Sequence, residues 1–206
     1  KKEMALAWVK QHRLAYYANG LAAAEFANEP IRPIADSLPV DMHKVVLGDM
    51  LYHDTRLSAD NSISCASCHG LNTGGVDNKR YSEGVGGQFG GVNAPTVYNA
   101  AYNFVQFWDG RANTLAEQAA GPPLKPVEMA CHSFDEIIAK LQQDVNFTKA
   151  FTEVYPEGYS EKSITNAIEE FEKTLLTPNS RFDRYLKGEK SAINDTELTG
   201  YELFKK

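Results

Sequence analysis

The sequence predicts a mainly α-helical fold with long loops, and three observations predict it. Apolar residues recur at helical spacing in separate segments, most clearly Ile164, Ala167, Ile168, Phe171 and Leu175. Helix-start residues stand before several such segments: Asp41, Thr114, Ser133, Ser160 and Asn194. Their side-chain oxygens can accept from the free amides of a first turn. Between Gly70 and Gly91 the chain is too rich in glycine to hold a helix, so a long loop is expected there.

Composition bounds the rest. The 206 residues suffice to bury a core in one large or two small domains, and the 43% hydrophobic content is ordinary. A net charge of −6 argues against a nucleic-acid partner. A mildly acidic surface suits either docking of a basic electron-donor protein or plain solubility. No apolar run is long enough to span a membrane.

Taken in order, Met4 to Asn28 is rich in Ala and Leu and free of Pro, which predicts a helix. Trp8, Tyr16, Tyr17 and Phe26 are expected to pack it onto the main body. Pro30, Pro33 and Pro39 then make an extended connector. Asp41 caps a helix with Met42, Val46, Leu47, Met50 and Leu51 on one side, expected to face the core. Its small residue, Gly48, permits close approach of another helix. That helix leads through Arg56-Leu57-Ser58 to Cys65-Ala66-Ser67-Cys68-His69.

Two cysteines separated by two residues, with His directly after, form the pattern for covalent attachment of haem c. The thiols of Cys65 and Cys68 form thioethers to the haem edge, and the His69 imidazole becomes the proximal iron ligand. A zinc site would need two more Cys or His ligands at matching spacing. The only other cysteine is Cys131, expected as a small buried apolar side chain. A thioredoxin-like pair would need a βαβ context, which is absent. Haem c is attached outside the cytoplasm, and the chain starts at Lys1, so a cleaved signal peptide is expected. Helix and motif together predict a cytochrome c-like haem domain.

The loop from Gly70 to Gly91 is expected to cover or border one haem face. The aromatic-rich run from Tyr98 to Phe107 should line the haem pocket or a domain interface. Trp108-Asp109-Gly110-Arg111 reads as a turn, Thr114 caps Leu115 to Ala120, and Gly121-Pro122-Pro123 ends that helix. Ser133 and Glu136 form a capping box for a helix burying Phe134, Ile137, Ile138 and Leu141. Phe147 to Val154 continues as a short helix, and the helix begun at Ser160 is stopped by Pro178. Asn194 and Glu197 resemble another capping pair. Gly200-Tyr201-Glu202-Leu203-Phe204 echoes Gly48-Asp49-Met50-Leu51-Tyr52, which is either coincidence or the mark of a duplicated domain.

Several further blocks stand in a fixed order: Ser64 before the haem motif, Gly74-Gly75, Asn93-Ala94-Pro95-Thr96, Gln106 to Arg111, Gln118-Ala119, Gly121-Pro122, Val127-Glu128-Met129 and Phe182 to Gly188. With Arg56-Leu57-Ser58 and the haem motif, the chain from about Pro30 onward resembles the bacterial di-haem cytochrome c peroxidases and their MauG-type relatives. The resemblance implies two cytochrome c-like domains, with peroxide reduced at the N-terminal haem and an electron stored and delivered by a C-terminal one. It divides the chain into an N-terminal helical extension at 1–33, a peroxidatic haem domain at 34–190 and the first helix of a second such domain at 191–206. One haem c is thus expected in this sequence and another beyond Phe204.

The resemblance also implies roles. His69 is the proximal ligand, and Glu128 and Gln118 are the distal polar pair. Trp108 stands between the two haems, and Asn93 is a calcium ligand at the domain interface. Without the resemblance Glu128 reads as a solvated loop carboxylate, Trp108 as core packing and Asn93 as a turn residue. Many relatives carry a His in the glycine-rich loop that caps the peroxidatic haem at rest. The corresponding residue here is Val85, and no His occurs from Gly70 through Cys131, so this haem is expected to be open or to hold only water. His132 is the nearest substitute, and His12, His43 and His53 are expected in ordinary surface or helix roles.

These readings converge on a periplasmic di-haem peroxidase. It would reduce hydrogen peroxide to water with electrons from a small cytochrome c or cupredoxin, and by analogy form a homodimer. Two alternatives stand beside it: a MauG-like oxidase acting on a protein substrate, and a haem electron-transfer or sensor module with Met129 as a second axial ligand.

Overall fold

The computed structural model describes residues 31–206, so the predicted helix Met4 to Asn28 and His12 lie outside the described residues. The described chain is helical and contains no strand, only isolated bridges between Glu83 and Phe89 and between Gln106 and Ala112. None of its helices is long and apolar enough to cross a membrane. It packs as two compact units, Ser37–Leu175 and a second that joins 31–36 to Leu176–Lys206.

The larger unit contains α1 (Met42–Tyr52), α2 (Cys65–Cys68), α3 (Leu115–Ala119), α4 (Gly121–Leu124), α5 (Phe134–Leu141), α6 (Val145–Val154) and α7 (Glu161–Glu172). Asp41 caps α1, accepting from the His43 and Lys44 amides. The Asp41 amide in turn donates to Glu170 Oε2 at 2.7 Å, tying the start of α1 to the end of α7. Midway along, Gly48 meets α7 so closely that a Cβ there would overlap the Ala167 carbonyl oxygen.

This crossing decides which side of α1 is buried. Val45, Leu47, Gly48, Leu51 and Tyr52 face inward. Leu47 and Leu51 are therefore where the sequence pattern put them. Met42, Val46 and Met50, expected beside them, are exposed instead. The physical reason is the glycine: close backbone approach, rather than the bulk of the apolar side chains, sets the rotation of the helix.

The main core gathers Leu47, Leu51 and Leu57 with Ile137, Leu141, Phe151, Ile164 and Ile168. Full burial of each such side chain is worth about 1.5–3 kcal/mol. Cys131 joins this core as predicted, its thiol donating to Leu57 O at 3.3 Å. A second cluster of Val45, Tyr52, Val97, Phe171 and Leu175 has Cys65 and Ala66 packed against it. Between α1 and α2, Ser58 Oγ donates to Thr55 O at 2.9 Å and accepts from the Ile63 amide at 3.0 Å, which fixes the approach to the cysteine motif.

Local signals mostly hold. Thr114, Ser133 and Ser160 cap their helices. Glu136, however, accepts from the His132 amide at 2.8 Å rather than from Ser133, so the box closes one residue early. Helix α3 stops at Ala119, as expected ahead of Gly121-Pro122-Pro123, but that stretch is itself helical. It starts the short helix α4, because proline is tolerated in a first turn whose amides need no helical partner. Helix α6 begins at Val145, earlier than expected, because Asp144 caps it.

In the smaller unit, α8 (Arg181–Leu186) and α9 (Asp195–Phe204) pack through Tyr185, Leu186, Ala192 and Tyr201. Asn194 and Glu197 form the reciprocal capping pair, and the Arg181 guanidinium donates to both Glu197 oxygens at 2.8 and 2.6 Å. Within α9, Gly200 of the echoed stretch meets nothing within 4 Å among the described residues, unlike Gly48.

Replacing Gly48 by Ala should lower stability by about 1–3 kcal/mol through overpacking at the α1–α7 crossing, read as a fall in the thermal unfolding midpoint. An unchanged midpoint would show that the crossing relaxes freely.

Candidate functional site

Ser64 precedes α2, and its amide donates to Ser67 Oγ at 3.0 Å, closing a capping box around this single helical turn. Cys65 and Cys68 stand three residues apart on that turn, which puts both thiols on one side. Both are free. Burial pushes the Cys65 thiol up to about 12 and raises that of Cys68 as well, so both are protonated thiols.

His69 follows at the helix end. Its Nδ1 lies 3.0 Å from Pro95 O. A carbonyl oxygen only accepts, so this bond needs the proton on Nδ1 and leaves the Nε2 lone pair free for a metal. Burial holds the imidazole below its usual range, which favours the neutral ligand form. Tyr52 OH donates to the His69 carbonyl at 2.6 Å and fixes the backbone. Two adjacent thiols and a neutral, oriented imidazole are the donor set that haem c requires, so the residues present fit that group. Among the described residues no three His, Cys, Asp or Glu side chains cluster to hold a bare metal ion.

The glycine-rich loop doubles back at Gly84, whose amide donates to Gln88 O at 2.7 Å. It rests on the segment that carries Glu128. A Cβ on Gly84 would overlap the Val127 carbonyl oxygen. The Val85 amide donates to Glu128 O at 2.8 Å, and Gln88 Nε2 donates to Pro126 O at 3.3 Å. The Glu128 amide itself donates to Lys125 O at 2.9 Å, closing a turn. Val85 is thus bonded through its backbone to Glu128, the predicted distal carboxylate residue.

Glu128 is half-buried. Burial raises its carboxyl, while the positive charges of Lys125 and Arg111 pull it back down. Its charge also acts on the Cys68 thiol, after burial and Asp77, so the carboxylate lies within electrostatic reach of the haem tether. Ser82, whose buried hydroxyl has no well-formed hydrogen bond, stands beside the same thiol. Met129, next to Glu128, is 4% exposed and packs in the main core with Ala119 and Phe134. It is therefore committed to packing, which removes the support for Met129 as an axial ligand.

Gln118 is half-buried on α3, but no described contact joins it to Glu128. Two residues not singled out from sequence belong to the site. The Arg111 guanidinium carbon stacks 3.4 Å from the centre of the Phe107 ring. Phe107 holds a positive φ of 67°, a conformation costly for an aromatic residue and typical of functional segments. The signal was present as an Arg at short spacing after an aromatic, but only folding stacks the two. Trp108 is 68% exposed, with its indole N–H donating to Asn93 O at 2.8 Å, so it is not core packing. Asn93 is exposed and its side-chain amide donates to Lys79 O at 2.7 Å. Of the aromatic run, Tyr98 packs near Cys65 while Phe104 faces outward. His43, His53 and His132 are exposed, as expected.

Comparison with known proteins gives a consistent picture. The profile of the family described as di-haem cytochrome c peroxidase matches residues 42–191. The cytochrome c peroxidase Ccp of Escherichia coli (strain K12) is 56% identical over 97% of this chain and 43% of its own length. A cytochrome c551 peroxidase of Nitrosomonas europaea is 48% identical over 87% of this chain and 54% of its own. Among solved structures, a MauG-like protein associated with microbial copper homeostasis superposes with a TM-score of 0.72 at 27% identity, covering 86% of this chain and 53% of that one. The chain spans about half the length of the curated relatives it matches.

Gly84→Ala should force the loop away from the Val127–Glu128 backbone. The expected readout is faster hydrogen exchange at the Val85 amide and a stability loss of about 1–3 kcal/mol. Unchanged exchange at Val85 would show that the close contact does not hold the loop.

Proposed function

The chain belongs to the di-haem cytochrome c peroxidase family, and we propose that it is the peroxide-binding half of such an enzyme, reducing hydrogen peroxide to water. Electrons would come from a small periplasmic cytochrome c or cupredoxin. The observation that carries this reading is Glu128, a half-buried carboxylate set by backbone bonds beside the haem-tethering turn.

Cys65 and Cys68 would hold haem c, and His69 would present Nε2 to its iron. Bound there, the haem supplies the redox-active iron through which electrons reach peroxide. Glu128 would then move a proton from the near to the far peroxide oxygen, so that the bond breaks with one water leaving, and two electrons from the donor with two protons from solvent convert the near oxygen to the second water. Burial raises its proton affinity and the nearby cations limit that rise, an environment suited to accepting and returning one proton. The Gln118 amide orients peroxide by hydrogen bonding without adding charge. Val85 brings no imidazole to the loop, so the peroxide side needs no ligand released before binding.

The same reading extends to parts beyond the site. Residues 34–190 form the peroxidatic domain, 1–33 an extension, and 191–206 the opening helix of a second haem domain. Trp108, exposed at the surface, would carry electrons between the two haems. Asn93 contributes to a calcium site completed by the remainder of the protein, and the whole assembles as a homodimer. The MauG-like alternative, oxidation of a protein substrate, draws support from the missing loop His and the likeness to a MauG-like structure.

In the complete two-haem protein, Glu128→Gln should reduce peroxide-dependent oxidation of reduced cytochrome c by about 10²–10⁴-fold with an unchanged haem absorption spectrum. The carboxylate form is the active one, so the wild-type rate should fall as pH drops through the raised Glu128 pKa, and this acid limb should vanish in the variant. Equal rates in the two proteins would remove Glu128 from the mechanism, and absence of donor oxidation in the wild type would favour the MauG-like alternative. Separately, EPR of the fully oxidised protein should show this haem without a second His ligand. A bis-His low-spin signal from it would refute the open site.

A further inference from the structure

A second buried carboxyl group plays no part in the chemistry above. Glu172 ends α7 and is 5% exposed. Its neighbours Phe171 and Leu175 belong to the apolar cluster against which Cys65 and Ala66 of the haem turn pack. Among the described residues, Glu172 makes no ion pair and its carboxyl group no hydrogen bond, and its oxygens are not among the fully buried unpartnered atoms. In such surroundings the carboxylate is disfavoured relative to the neutral acid. Burial first, then the Glu169 charge, push it up to about 8. Glu172 in turn raises both the Cys65 thiol and the Tyr52 phenol, which places it on the Cys65 side of the haem turn.

No cation offsets it. From α1 the facing group is Tyr52. His53, whose ring lies 6.3 Å from that of Phe171, is engaged by Asp49, and Lys44 by Asn166. On α7 itself, Lys173 is taken by Glu170 at 2.8 Å and Glu169 at 3.9 Å. From α3, Glu117 is bound to the Asn113 amide. From the loop after Pro95, Tyr98 donates to Leu71 O.

We propose that Glu172 is a proton-uptake site coupled to reduction of the haem held by Cys65 and Cys68. The inference rests on the haem reading above. The balance is simple: as ferric iron gains one electron from the donor and becomes ferrous, the Glu172 carboxylate gains one proton from water and becomes the acid. Ferric iron carries one more positive charge and favours the carboxylate, while ferrous iron favours the acid. Proton uptake on reduction therefore makes the midpoint potential fall as pH rises, between the pKa values of the two states.

The test is a spectroelectrochemical titration of the haem-loaded protein across about pH 6 to 10. In the wild type the potential of this haem should fall by up to about 59 mV for each tenfold drop in proton concentration within that window. Glu172→Gln, which keeps the side-chain volume, should be flat there. The same slope in both proteins overturns the proposal and assigns the proton to another group. Should Glu172→Gln fail to load haem, Glu172→Asp decides: a displaced pH window supports the proposal, and an unmoved one refutes it. Absence of thioether-bound haem in the wild type would instead refute the haem reading itself, by absorption and before any potential is measured.

Discussion

At Gly48 the backbone of α1 comes against the Ala167 carbonyl of α7, and the haem-domain arrangement follows from that approach. With α1 rotated to bring Gly48 inward, Leu47 and Leu51 enter the main core, and Val45 and Tyr52 enter the second cluster. Tyr52 then reaches the His69 carbonyl, so one helix crossing is linked to His69 through one buried hydroxyl. The Asp41–Glu170 bond fixes the helix from its other end. Interiors are close-packed and transmit such constraints rather than absorbing them.

The two faces of the haem turn are built differently. On the His69 side the fixing is direct, with Pro95 O orienting the ring and Tyr52 holding the backbone. On the Glu128 side the fixing is between loops. A glycine-rich hairpin, held by its own Gly84–Gln88 bond, supports the Val127–Glu128 segment through main-chain contacts. Packing Met129 into the core anchors that segment from below. The segment that carries Glu128 is thus stiffened by backbone bonds that do not involve the Val85 side chain.

Charge is distributed with the same division. Glu128 is offset by Lys125 and Arg111, and Arg111 is held by Asp109 and the Phe107 ring. Glu172 has no such offset, and burial pushes its carboxyl up to about 8. Glu128 and Glu172 therefore differ in proton affinity for a physical reason: one has cations within reach, and the other has none while Glu169 adds a like charge.

The sequence by itself determined the helical class, the caps at Asp41, Thr114, Ser160 and Asn194, and the Cys65-Ala66-Ser67-Cys68-His69 pattern that suits haem attachment. These are local properties, set by side chains a few positions apart. It also placed Glu128 and Gln118 as candidates, but only through ordered blocks that resemble a family. Tertiary structure alone decided which side of α1 is buried, because Met42, Val46 and Met50 fit the helical period as well as Val45 and Tyr52 do. It alone stacked Arg111 on Phe107, turned Met129 into the core, exposed Trp108 and closed the Val85 amide onto Glu128. Each of these depends on which distant backbone comes close, a quantity that neither periodicity nor spacing along the chain contains.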